Sequence, residues 1–221
     1  MLAGAAAAQG GAAETRVIEI LPRGQINWTE GAVLSRHSAT NTAPRGASDP
    51  PQQAAVQAAR QGLLVVLDRV RLDAHQMLGP ALRQAAAQRQ ELEALVAQAE
   101  VVETRYLPGK TAETTVQLPF VGRLTALLLT PPAALPPDDG ARTDTAHTGV
   151  VIDARGLAIQ PALLPRIVDE TGQILYAPEV VDAEAAAQQG YVAYARAYDQ
   201  APAQARIGER PLVLRALRVA G

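Results

Sequence analysis

Residues 148–176 read TGVVIDARGLAIQPALLPRIVDETGQILY, and this one stretch carries a strand, a break and a hairpin. The unbroken apolar run Val150, Val151, Ile152 is what a strand buried on both faces requires. Pro161 and Pro165 then forbid regular structure until Arg166 restarts an extended segment. The turn Asp169-Glu170-Thr171-Gly172 allows a reversal into residues 173–176, because glycine supplies the positive φ that a tight hairpin needs. Four of the tract's charges, Asp153, Arg155, Asp169 and Glu170, admit two readings. A hydrolase could use such carboxylates for acid/base work. Alternatively, Asp153 and Arg155 pair along one strand face and the turn is simply solvated, which is the commoner fate of charged clusters.

Working upstream, residues 131–148 hold Pro131, Pro132, Pro136 and Pro137 followed by Asp138-Asp139-Gly140, a stiff and then polar linker that predicts two units. Before it, residues 16–21 alternate as a first strand, and residues 24–35 extend or pair with it, with Gly31 at a bulge or bend. Residues 37–51 are rich in Ser, Thr, Asn, Pro and Gly, which predicts a loop. The period then changes. Val56, Ala59, Leu63, Val66, Leu67 and Val70 fall at helical spacing, predicting an amphipathic helix over 52–71 whose alanine-rich first half suits close approach to a sheet. Gly79-Pro80 opens a second helix carrying Leu82, Ala85, Leu92, Leu95 and Val96; too few heptads follow for a coiled coil. Residues 100–107 and 111–120 read as strands joined at Pro108-Gly109-Lys110, with Val116, Leu118 and Phe120 on one face. The predicted order of the first module is therefore β-α-α-β-β.

Downstream, Asp182 predicts a helix cap and Gly190 its stop. Residues 191–195 read as a strand, 198–206 as a short helix and 212–219 as a closing strand. Tyr191, Tyr194 and Tyr198 suit either a binding patch or half-buried packing. The fold class is α+β: a first module over 16–130 with helices packed on an antiparallel sheet, and a second, mixed β-hairpin/α/β module over 149–221.

Composition narrows the function. The 221 residues carry a net charge of −2 with basic residues scattered, so there is no electrostatic footprint for nucleic acid. Aromatic residues make up 3%, with single copies of Trp and Phe (Trp28 and Phe120), leaving little for base- or sugar-stacking subsites. Cysteine is absent, which removes disulfides, thiolate catalysis, Cys-ligated metal and a lipobox for lipid anchoring. His37, His75 and His147 lack the spacing of a metal site. Gly109-Lys110-Thr111 suggests a phosphate loop, but Thr104 stands where its earlier glycine belongs and a hairpin surrounds it. No catalytic, cofactor or metal residue is assigned. The leader over 1–15, MLAGAAAAQGGAAET, is apolar with Ala-x-Ala patterns and predicts the tail of a secretory signal, the alternative being an Ala/Gly leader without structure. No run approaches the roughly 20 apolar residues of a membrane-spanning helix.

Three stretches carry a family resemblance: GQINWTEG at 24–31, the Ala-rich helix around 54–59 leading to Val70-Arg71-Leu72, and VVETRYL at 101–107. They resemble the N-terminal module of flagellar assembly protein T, and are similar to small envelope lipoproteins of the flagellar outer-membrane protein P type. VVIDARGL at 150–157, through Pro165 and Tyr176, is similar to a second module of uncharacterised exported proteins. The resemblance implies helices packed on a sheet, a periplasmic or outer-membrane-associated location, and a role in assembling ring structures around the flagellar rod. The chain departs from the pattern in lacking the lipobox cysteine and in the Pro108-Gly109-Lys110 turn.

The function expected from these readings is a non-enzymatic exported structural or assembly protein of the bacterial cell envelope, homo-oligomeric or bound to envelope partners. The alternative is a periplasmic module that binds a peptide or another ligand, with Trp28 and Tyr106, or the tyrosines near Tyr194, lining a cleft. An enzyme would need Asp153 and Asp169 brought together.

Overall fold

A computed structural model describes residues 16–41, 51–129, 147–197 and 205–219. The leader, the Pro-rich linker, part of the predicted 37–51 loop and most of the predicted 198–206 helix lie outside the described residues.

Five strands form one antiparallel sheet: β1 (Ile18–Leu21), β2 (Gly24–Asn27), β3 (Ala32–Thr40), β4 (Glu100–Leu107) and β5 (Thr111–Pro119), in the order β1-β2-β3-β5-β4. The segment expected over 24–35 is two strands. Between them Asn27 accepts from the Glu30 N–H at 3.0 Å, donates to the Glu30 carboxylate at 2.8 Å, and Gly31 turns the chain with φ 66°. The expected bend is there, and it is a full reversal. Residues 37–40, expected as loop, complete β3, where His37 stands opposite Thr114 and Thr40 opposite Thr111. A waiting partner strand overrides their weak local propensity. The β4–β5 hairpin forms where the pattern placed it, with Gly109 at φ 80° and Lys110 at φ 58° in its turn. Val116, Leu118 and Phe120 all point inward.

Helix α1 (Pro51–Leu67) lies across β3 and β5 and buries Ala55, Ala59, Gly62, Leu63, Val66 and Leu67. Its small residues are there because the sheet is close. A Cβ on Gly62 would stand 2.3 Å from Ser35 Oγ and 2.6 Å from His37 Nε2. The helix ends before Arg71, and the helix expected after Gly79 is two: α2 (Leu78–Arg83), with Pro80 in its first turn, and α3 (Ala86–Ala97). Leu82, Leu92, Leu95 and Val96 are buried as expected. A helix the periodicity did not reveal, α4 (Arg123–Leu128), follows β5; the Thr125 hydroxyl donates to the Phe120 carbonyl at 2.7 Å, and Leu124 and Leu127 enter the core.

The second module contributes β6 (Gly149–Asp153), β7 (Ile167–Val168), β8 (Ile174–Tyr176), a 3₁₀ turn (Pro178–Val180), α5 (Ala183–Gln189) and β9 (Pro211–Arg215). Strands β7 and β8 make the expected hairpin, with Gly172 at φ 88°. Asp182 caps α5 by accepting the Ala185 N–H at 2.8 Å, and Gly190 ends it at φ 85°. The two modules share one apolar cluster, in which Leu163, Leu164, Ala186 and Tyr191 join Trp28, Val33, Leu63 and Phe120. Backbone bonds stitch the seam: Leu163 and Leu164 donate to the carbonyls of Arg71 and Leu72 at 2.9 and 2.8 Å, and Gly122 donates to Ala187 at 2.7 Å.

Three expectations are corrected here. The run Val150–Ile152 is not buried on both faces: Val150 is 56% exposed, and Val151 and Ile152 are only partly covered. Among the described residues it has one neighbour, β9, in parallel register; an apolar run demands cover without supplying it. Residues 191–195 form no ladder: the Tyr194 N–H reaches the Trp28 carbonyl at 3.4 Å, and the Tyr191 and Tyr194 hydroxyls tie the segment to Pro165 and Ala162. The closing strand pairs only as far as Arg215, where β6 runs out at Asp153.

Candidate functional site

The carboxylates of the opening tract are each bonded within their own segment. Arg155 grips Asp153 with its side chain at 2.8 Å (Nε) and 2.6 Å (Nη2), and its backbone N–H adds a bond at 3.1 Å. That guanidinium holds the Asp153 carboxyl down at about 2. Asp169 Oδ1 accepts from the Thr171 hydroxyl and from the N–H groups of Thr171 and Gln173 at 2.7–2.9 Å. These bonds, the Thr171 hydroxyl first, hold its carboxyl below the usual range. Each carboxylate closes its own local turn. Both are ionised at neutral pH, whereas a general acid needs its proton there. Glu170 is exposed in the hairpin turn, and Lys110 is exposed in the β4–β5 turn.

The histidines are equally separate. His37 lies on β3 beneath α1 with Nε2 buried and unpartnered, and burial, then the charge of Arg23, pushes its pKa down. His75 sits in a turn closed by Asp73, and His147 is exposed just before β6. Among the described residues no three His, Asp or Glu side chains gather as a metal site.

Trp28 and Tyr194 meet across the two modules, and Tyr176 and Tyr191 pack within the second. Trp28 is 2% exposed, with its ring 5.4 Å from Phe120 and 5.7 Å edge-on to Tyr194. The Tyr194 hydroxyl donates to the Ala162 carbonyl and accepts the Ala162 N–H, both at 2.9 Å. Tyr176 donates to the Tyr191 carbonyl at 2.6 Å, and Tyr191 to the Pro165 carbonyl at 3.0 Å. Burial raises all three phenols, Tyr194 to about 12. Tyr106 stands 72% exposed on β4, bonded to Gln52. Tyr198 lies outside the described residues.

What remains is the β6/β9 ribbon. Its ladder sets Val150 opposite Leu212, Val151 opposite Val213, Ile152 opposite Leu214 and Asp153 opposite Arg215. Residues directly opposed share a face, so Val150, Ile152, Leu212 and Leu214 line one side while Val151 and Val213 lie on the other. Val150, Val213 and Leu214 are 40–56% exposed, and Leu217 and Val219 beyond the ladder are more exposed than half. None of these belongs to the shared core. A shallow open depression lies past the ribbon's end, lined by Arg155, Gly156, Leu157, Arg215, Ala216 and Leu217. Parallel strands are found almost only where both faces are covered, and a two-stranded ribbon is marginal alone. This apolar, partly exposed surface is the candidate site. The alternation Val213, Arg215, Leu217, Val219 was the available sequence signal: it extends a strand past the point where the chain can pair it.

No helix among the described residues is long and apolar enough to cross a membrane. No curated protein matches the chain. Residues 149–221, which include the ribbon, are similar to the second domain of Tp0624 from Treponema pallidum.

Proposed function

We propose that this chain is a non-enzymatic, exported structural or assembly protein of the bacterial cell envelope, periplasmic or held at the outer membrane through partners, that works by joining folded surfaces. A flagellar ring is the complex to which the first module's sequence resemblance points. One observation carries the reading: the two modules share one apolar cluster, while a ribbon with apolar residues on both faces is left partly exposed among the described residues. A shared core couples the modules, which suits a scaffold. The ring-lined ligand cleft loses its basis with Trp28 in the core.

In-cell cross-linking followed by fractionation tests the proposal. The expected result is recovery of the chain from the envelope in a complex of fixed stoichiometry, with an Asp153→Asn, Asp169→Asn double variant recovered equally well. Recovery as a lone cytosolic species, or loss of the complex in that double variant, would sink it.

A further inference from the structure

We infer that the open edge of β6 is a homodimer contact, pairing antiparallel with β6 of a second copy to form a four-stranded sheet in the order β9-β6-β6-β9. This inference rests on the reading of the chain as an assembly protein and names one of its surfaces.

Hydrogen-bond parity identifies the free groups. The Ala216 N–H donates to the Asp153 carbonyl at 2.9 Å, in the register that sets Asp153 opposite Arg215. In a parallel ladder this makes Asp153 a residue whose own N–H and C=O both face β9. By the two-residue period, Val150 and Ile152 turn theirs to the open side of β6, as Val213 and Arg215 do on β9. Among the described residues no backbone group bonds to those of Val150 or Ile152 from that side.

Edges left open in a fold are ordinarily guarded by charge, proline, bulges or brevity. The other long edges here are guarded. Strand β4 carries Glu100, Glu103 and Arg105 and a bulge between Val101 and Glu103. Strand β1 carries Glu19. The outer side of β9 begins with Pro211, which has no N–H, and carries Arg215, with Arg210 and Arg218 flanking it. Strand β6 has no proline or bulge, and its one charge, Asp153, stands at its end.

The occupant follows from symmetry and charge. A two-fold axis through Val151 sets Val150 opposite Ile152 of the second copy, twice, so every outward N–H and C=O of both residues is paired. Val151 meets its own counterpart, a close β-branched pair, and Asp153 falls opposite Gly149 of the second copy, so like charges do not face. Pairing through β9 would instead bring its arginines toward those of the other copy. A self-complementary patch of this kind closes as a two-fold dimer.

The test uses the full chain and sedimentation velocity over a concentration series. The wild type should sediment as a dimer. Ile152→Pro removes an outward donor and leaves the inner donors of Val151 and Asp153 in place, as an edge proline can; it should sediment as a monomer with an unchanged circular dichroism spectrum. Val213→Pro, on the outer side of β9, should remain a dimer. Should Ile152→Pro misfold, amide exchange on the wild type decides: Val150 and Ile152 should gain protection with concentration, and Val213 should not. A wild type monomeric at every concentration, a dimer that survives Ile152→Pro, or one abolished by Val213→Pro instead would each overturn the inference. A monomer that still enters the envelope complex would sink the dimer alone, whereas a dimer absent from every envelope complex would sink the assembly role alone.

Discussion

The two principal sheets of this molecule are built from similar residues and meet opposite fates. In the five-stranded sheet, Ile26, Val33, Ala112 and Val116 are fully buried because α1 lies over them with a face of Ala, Gly and Leu. In the two-stranded ribbon, Val150, Val213 and Leu214 are just as apolar and roughly half exposed, because no helix among the described residues covers them as α1 covers the larger sheet. A strand's composition therefore states a need for cover, and the topology decides whether the same chain meets it. Where it does, the result is core. Where it does not, the apolar surface is available to another molecule.

The contrast breaks most sharply at Trp28. It touches rings from both modules, so Trp28→Ala should cost about 3–5 kcal/mol and lower the urea midpoint for both modules in one transition. Val213→Ala in the ribbon should stay within about 0.5 kcal/mol in the monomer. Two separate transitions in the wild type, followed by tyrosine fluorescence and by exchange of β3 amides, would show that the shared cluster does not couple the modules.

Gly62 gives the next largest effect. Its Cβ would land on Ser35 Oγ and His37 Nε2, both held in the sheet beneath, so Gly62→Ala should destabilise by about 1–3 kcal/mol through overpacking, against a helix propensity gain of about 1 kcal/mol. A thermal melt unchanged or raised would mean that α1 rides higher on the sheet than its small residues indicate. Tyr194→Phe should cost a similar amount, about 1–3 kcal/mol, because it strips both bonds from Ala162 at the seam between modules.

Signals confined to a few neighbouring residues were legible from the sequence. The Pro108-Gly109-Lys110 hairpin, the Asp182 cap, the Gly190 stop and the 3.6-residue period of α1 each lie within one turn or one ladder of their cause. Long-range pairing was not legible: nothing local to residues 37–40 says that β5 lies alongside them, and nothing in residues 191–195 says that Tyr194 would be held through its hydroxyl. The candidate surface was hidden for a related reason. Val150-Val151-Ile152 reads the same whether its cover is a helix of this chain or another molecule, and only the absence of a second neighbour in the described fold separates the two.

The smallest effects are electrostatic, and they again divide the two sheets. His37 belongs to the covered sheet, and its lowered folded pKa means that the unfolded chain binds the proton first. Its contribution to stability is therefore intact above its ordinary value of 6.5 and is lost as pH falls below it. His37→Gln should flatten that slope in chemical denaturation between neutral and mildly acidic pH. Asp153 belongs to the ribbon, where solvent screens its pair with Arg155. Its depressed pKa acts in the opposite part of the scale, present above 3.8 and lost as pH falls toward 2. Arg155→Gln should let the Asp153 carboxyl titrate back up toward 3.8, visible in the carboxyl carbon shift by NMR, while the melting temperature at neutral pH stays where it was. A drop in that temperature would mean that the ribbon's charged end contributes to holding the body of the protein together.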